Sequence, residues 1–140
     1  MTFGVESRPS IQVAAGLVFR EGKLLITQRH ADAHLGGLWE FPGGKRELNE
    51  TFEECLDREL LEELGIKVTI LELVESLTHA YPEKTVHLRF FRCAWKAHEP
   101  QPLDCSAFKW VSPGELAAHE FPAADERLLD KLRTNSNLWR

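Results

Sequence analysis

The chain predicts one mixed α/β domain, and three observations carry that prediction. Apolar, β-branched runs over residues 11–19, 23–27, 68–76 and 85–95 have the composition of strands. Between the second and third of these runs lies a stretch with both ends of a helix written into it, from Thr51 to Gly65. A length of 140 residues suits a single domain with a real core, and no repeat or second domain is visible.

In chain order, residues 11–19 form the first strand, Glu21-Gly22 a turn, and residues 23–27 the returning strand. Gly36-Gly37 and Pro42-Gly43-Gly44 bracket a brief strand or loop over residues 38–41. Thr51 caps the next element, Glu54 three positions on completes a capping box, and Gly65 stands where the helix ends, which predicts a helix over residues 52–64. In the strand over 85–95, Val86, Leu88 and Phe90 alternate as in a half-buried strand. Residues 100–107 read as a loop and 108–111 as a short strand. Ser112-Pro113-Gly114-Glu115 opens a brief helix. The last helix spans residues 124–133, with Leu128, Leu129 and Leu132 on one face. The domain is expected over residues 11–134, with a flexible N-terminal segment over 1–10 and a loosely held tail over 135–140.

Composition excludes several classes. No run of 18 apolar residues exists, and the first ten residues lack a signal peptide's apolar stretch, so no membrane association is expected. Three cysteines (Cys55, Cys93, Cys105), odd in number and without Cys-x-x-Cys spacing, suggest reduced thiols in a cytoplasmic protein. A net charge of −5 argues against binding a nucleic-acid polymer, which would need a basic footprint. It leaves a small nucleotide substrate open, because bound metal can supply positive field locally. Whether the chain has a protein partner is open at this point.

The helix over 52–64 carries the chemistry. Glu59, Glu62 and Glu63 are spaced i, i+3, i+4 and so share one face. Their mutual repulsion costs roughly 0.2–0.5 kcal/mol per pair on an exposed helix. A solvated acidic face is the plain reading of such a triplet. A hard divalent cation would reverse the sign of that cost.

The whole run from Gly44 to Ile66, with Glu50 and the block Arg58-Glu59-Leu60-x-Glu62-Glu63-x-Gly65-Ile66, resembles the signature of the Nudix hydrolases, which cleave nucleoside diphosphates linked to another moiety. Three further stretches are similar to the MutT-like branch of that family: residues 25–34, Trp39-Glu40-Phe41-Pro42-Gly43-Gly44-Lys45, and Phe121-Pro122-Ala123-Ala124-Asp125-Glu126. The resemblance implies an α/β/α sandwich around a mixed β-sheet over residues 11–132. It implies Mg²⁺, with Mn²⁺ as a substitute, bound by Glu59, Glu62, Glu63 and the Gly43 carbonyl, with Glu59 nearest the attacking water. Arg58 and Glu47 would orient the cassette through an ion pair, and Glu50 would support it. Asp104 falls where the branch has a further acidic loop residue, as metal ligand or base; a turn-forming aspartate is the alternative. Arg29 and His34 match positions that contact the phosphates and sugar, and Lys45 adds charge beside them or is merely exposed.

Asp125 departs from the pattern. MutT-like enzymes carry an asparagine there, able to donate to guanine O6 and accept from the N7–H of 8-oxoguanine. An ionised aspartate only accepts, unless burial keeps it protonated. It would equally accept from the N4 amine of cytosine, or it caps the last helix. The remaining histidines (His30, His79, His87, His98, His119) carry no motif and read as ordinary surface or core residues, and Trp39 and Phe41 read as core. The function expected is Mg²⁺-dependent nucleoside triphosphate pyrophosphohydrolysis of 8-oxo-dGTP or a related oxidised nucleotide. The alternatives are a CTP or modified-pyrimidine triphosphate pyrophosphohydrolase, and a non-catalytic MutT-like module that reads a base.

Overall fold

A computed structural model describes residues 9–140. Its axis is β1 (Ser10–Arg20), which pairs in parallel with β6 (Thr85–Ala97) from Ser10↔Thr85 to Phe19↔Ala94. The opposite edge of β1 is shared by two antiparallel partners. Near its start it pairs with β4 (Gly43–Lys45), and at its end with β2 (Lys23–Gln28) through the Glu21-Gly22 turn. Beyond β2 lie β3 (Trp39–Glu40) and β7 (Ala107–Val111), and β5 (Lys67–Ala80) pairs with the far edge of β6. The result is a mixed, seven-stranded sheet.

Alternation along β1 buries both faces of this sheet. Ala14 and Val18 join Leu56, Leu60 and Leu64 of α1 (Phe52–Leu64) in one core cluster. Ala15, Leu17 and Phe19 join a second cluster with Leu116 of α2 (Pro113–Leu116) and Leu128 and Leu132 of α3 (Glu126–Thr134). Helices on both faces of a mixed sheet make the expected α/β/α sandwich. Each fully buried leucine contributes roughly 1.5–3 kcal/mol relative to exposure.

Four features depart from the sequence expectation. β4 forms in a glycine-rich stretch of low strand propensity, because the Ala14 and Ala15 backbone leaves room for a strand only where the neighbour has no side chain. β5 and β6 run to Ala80 and Ala97, longer than their apolar cores, with register irregularities between Ile70 and Leu73 and between Leu73 and Glu75. The last helix begins as a 3₁₀ turn, Ala123–Asp125, before α3. The tail expected to be loose is docked: Ser136–Trp139 forms a 3₁₀ turn, Trp139 packs edge-on to Phe19 at 5.3 Å, and its Nε1–H donates to the Leu132 carbonyl at 2.9 Å. One large indole is enough apolar area to hold a short terminus. Of the flexible segment expected over 1–10, residues 1–8 lie outside the described residues, and Ser10 already opens β1.

Cys55, Cys93 and Cys105 are buried free thiols. Burial pushes the Cys93 thiol up to about 12. No helix among the described residues is long and apolar enough to cross a membrane.

Candidate active site

The acidic helix is fixed at both ends. The Thr51 N–H donates to Glu54 Oε1 at 2.9 Å, the Glu54 N–H donates to Thr51 Oγ1 at 3.0 Å, and Gly65 ends the helix at φ 71°. β4 is then pressed against it at a distance only glycine allows. A Cβ on Gly44 would lie 2.3 Å from the Glu59 carboxyl, and one on Gly43 would lie 2.0 Å from the Ala14 carbonyl oxygen. The contact brings the Gly43 N–H to Glu63 Oε1 at 3.2 Å. Glu59, Glu62, Glu63, Gly43 and Asp104 line one cavity of about 210 Å³.

Arg58 organises the carboxylates. Its guanidinium donates to both Glu50 oxygens at 2.8 and 2.9 Å, to Glu59 Oε2 at 2.8 Å, to Glu62 Oε1 at 3.2 Å and to the Lys45 carbonyl at 3.0 Å. The forked, two-oxygen contact with Glu50 is the geometry arginine is suited to. It holds the Glu50 carboxyl well below its usual range, at about 2. The expected ion pair of Arg58 with Glu47 is present but long, at 3.9 Å and exposed, and Glu50 makes the closer contact. Glu63 is pushed the other way, to about 8, by burial first and then by the neighbouring charges of Glu40, Glu59 and Asp104. Glu59 is also raised, chiefly by burial, against the pull of Arg58.

Asp104 sits on the loop before β7, at the rim of the same cavity. The Leu103 and Asp104 N–H groups both donate to the Glu63 carbonyl at 3.1 Å. Arg29, at the end of β2, donates to Glu40 Oε1 at 2.8 Å and to the His34 carbonyl at 2.7 Å. The pairing holds Arg29 against a half-buried carboxylate at the edge of the acidic cavity, which it also lines.

A second cavity of about 320 Å³ adjoins the first and shares Arg29, Glu40 and Gly43 with it. Its apolar wall comes from β1 and β6, and His34, Lys45 and Asp125 lie around it. Asp125 is 7% exposed and stands at the N-cap position of α3, but its side chain makes no cap hydrogen bond there. Burial, reinforced by the Glu40 charge, raises its carboxyl to about 6. Phe41 is core, stacked on Phe121 at 5.0 Å, yet it also borders this cavity.

Two residues at the site escaped the sequence reading. Glu40 borders both cavities, and its carboxyl is raised by burial despite the Arg29 pair. Its signal was faint: a charged residue between Trp39 and Phe41, in a segment otherwise apolar. His30, taken for an ordinary surface residue, lines the acidic cavity.

The carboxylates around the acidic cavity offer oxygens, the donors a hard divalent cation prefers, and such a cation would relieve the charge repulsion that adds to burial in raising Glu63. Among the described residues the side chains are not already closed on one point as a ready-made cage. Glu59 and Glu62 are turned to Arg58, and Glu63 to the Gly43 N–H.

Comparison with known proteins agrees with this arrangement. The NUDIX domain model matches residues 14–131. An 8-oxo-dGTP diphosphatase of Escherichia coli K12 is 37% identical over 124 residues, covering 88% of this chain and 96% of the relative. A CTP pyrophosphohydrolase of the same organism is 39% identical over 125 residues, covering 86% and 89%. The solution structure of MutT from methicillin-resistant Staphylococcus aureus 252 superimposes with a TM-score of 0.76 at 30% identity, covering 91% of this chain and 98% of that one. A helix that sets Glu59 and Glu63 against a glycine-built strand, the domain model matched over residues 14–131, and relatives aligned over most of their length place this chain in the NUDIX family.

Proposed function

We propose that the chain is a Mg²⁺-dependent nucleoside triphosphate pyrophosphohydrolase, with Mn²⁺ as a substitute, that releases nucleoside monophosphate and pyrophosphate from 8-oxo-dGTP or a related oxidised nucleotide. The observation that carries the reading is the pair of joined cavities, one acidic and one largely apolar, bridged by Arg29, Glu40 and Gly43. A triphosphate in the first and a base in the second would span that bridge.

Glu59, Glu62, Glu63, Asp104 and the Gly43 carbonyl are the groups that would hold the metal. Bound there, a divalent cation supplies polarised phosphoryl oxygens and a more acidic water. Glu59 accepts the proton of the attacking water. The water oxygen bonds to phosphorus, the anhydride P–O bond between the α and β phosphoryl groups breaks, and nucleoside monophosphate and pyrophosphate are the products. Arg58 keeps Glu59 and Glu62 in position through its 2.8 and 3.2 Å contacts. Arg29, His34 and Lys45 face the phosphates and sugar. Reduced, buried thiols suit a cytoplasmic setting.

Asp125 is the base-reading group. Protonated, it can donate to a purine O6 and accept from N2–H₂ or N7–H; ionised, it only accepts. An accepting carboxylate equally suits a cytosine N4 amine, and the CTP pyrophosphohydrolase relative at 39% identity favours that second reading. A non-catalytic module would have no use for the carboxylates that Arg58 holds in place.

The test is pyrophosphate release with Mg²⁺ across 8-oxo-dGTP, dGTP, CTP, 5-methyl-dCTP and ADP-ribose. The proposal expects 8-oxo-dGTP to lead dGTP by a hundredfold or more in kcat/KM, about 2.7 kcal/mol. A lead for CTP or its methylated relative replaces it with the second reading, and no turnover of any triphosphate overturns both.

A further inference from the structure

His30 leaves the sheet one residue beyond Arg29, and its ring meets the loop that carries Asp104. His30 Nε2 is 3.3 Å from Asp104 Oδ1, and both residues line the acidic cavity. The backbone of that loop is anchored on two sides. The Gln101 N–H donates to the Leu64 carbonyl at 2.9 Å, and the Leu103 and Asp104 N–H groups donate to the Glu63 carbonyl, which ties the loop to the end of α1. The Ser106 N–H donates to the Gln28 carbonyl at 2.9 Å, which ties it to the end of β2.

The Asp104 side chain is held far less. It is 80% exposed, and a carboxylate that open samples several rotamers at little cost. Against a backbone fixed from two sides, the imidazole selects among those rotamers. A carboxylate in a metal-binding constellation works best when a second group fixes its orientation.

We infer that His30 is a positioning residue: with a proton on Nε2 it donates to Asp104 Oδ1 and holds that carboxylate at the acidic cavity beside Glu63. The inference rests on the reading of Asp104 as a metal-side carboxylate. His30 itself need not touch substrate. Its contribution reaches the reaction only through Asp104.

Five proteins test it: the unmodified chain, His30→Ala, Asp104→Ala, the double variant, and His30→Gln as the conservative rescue. Mn²⁺ binding is followed by the electron paramagnetic resonance of the free ion, and kcat and KM are measured separately for the preferred triphosphate. The expected result is that His30→Ala weakens Mn²⁺ binding and lowers kcat about tenfold, with KM changed less than about threefold. His30→Gln, which keeps a donor, should recover most of the loss, and His30→Ala should cost nothing further in the Asp104→Ala background.

A loss from His30→Ala that persists undiminished without Asp104 overturns the inference, as does a silent His30→Ala beside a damaging Asp104→Ala. If Asp104→Ala itself changes neither metal binding nor kcat, the reading of Asp104 fails and the inference falls with it. That pattern is distinguishable from a failure of His30 alone.

Discussion

The two joined cavities are made in opposite ways. The acidic one takes Glu59, Glu62 and Glu63 from about one turn of a single helix, so their convergence is a property of local spacing. The apolar one is assembled by sheet register. Ile11, Val13 and Ala15 of β1 stand opposite Val86, Leu88 and Phe90 of β6, and Asp125 arrives from the far end of the chain. In the proposed reading most of the bond-breaking carboxylates therefore lie in one short segment, with Asp104 added from a loop, whereas base selectivity is spread over the whole fold. Substitutions in the first should change rate for every substrate alike, and substitutions in the second should change the ratio between substrates.

The largest effect should come from the helix carboxylates. Glu62→Gln combined with Glu63→Gln removes two of the charges that would hold the metal, and kcat/KM should fall at least about a thousandfold, ~4 kcal/mol, for every triphosphate tried. Circular dichroism should show the fold retained. Unchanged turnover would remove the acidic cavity from the chemistry altogether.

Arg58→Ala comes next. It leaves the Glu50, Glu59 and Glu62 contacts without their donor, and steady-state kinetics should show a loss of about 10–100-fold, again uniform across bases. Arg58→Lys should recover little, because one ammonium cannot meet both Glu50 oxygens and two further glutamates in the same plane.

A smaller effect concerns the metal-free protein. Glu63 is raised to about 8 in the folded chain against an ordinary 4.5, so the folded state binds more protons than the unfolded state between those values. Its contribution to stability is present below about 4.5 and is lost as pH climbs toward 8. Thermal melts in a chelator should show Tm falling over that window. Glu63→Gln should flatten the fall, and added Mg²⁺ should oppose it. A Tm in chelator that does not fall from pH 5 to pH 8 would mean that Glu63 is not the strained carboxyl the structure implies.

These contrasts also explain what could be read from sequence. The helix over 52–64 was predicted to its ends, because Thr51, Glu54 and Gly65 are cap residues whose effect is local. The glutamate triplet was legible through its helical spacing, and Arg58 and Asp104 through the family resemblance alone. The Arg58–Glu50 fork was less so, since Glu50 lies eight positions before Arg58 and outside the helix, where helical spacing does not apply. β4 was missed for a physical reason: it is a strand because glycine permits close approach to β1 and Glu59, not because its residues favour extended backbone. Glu40 and His30 gain their importance from neighbours that fold topology supplies, Arg29 and Asp104 respectively. Trp139 reads as part of a polar tail until Phe19 is seen beside it.

The division between a rate-setting cavity and a base-selecting one is tested most directly by Asp125→Asn, assayed as the ratio of kcat/KM for 8-oxo-dGTP to that for CTP from pH 5 to 8. In the unmodified chain the ratio should fall as pH rises through about 6, because the protonated carboxyl donates to a purine O6 and the ionised one only accepts. In Asp125→Asn the ratio should move by roughly tenfold or more and lose that pH dependence, while turnover of the better substrate persists. If Asp125→Asn instead lowers both substrates equally and leaves their ratio untouched at every pH, the apolar cavity does not choose the base and the account is wrong.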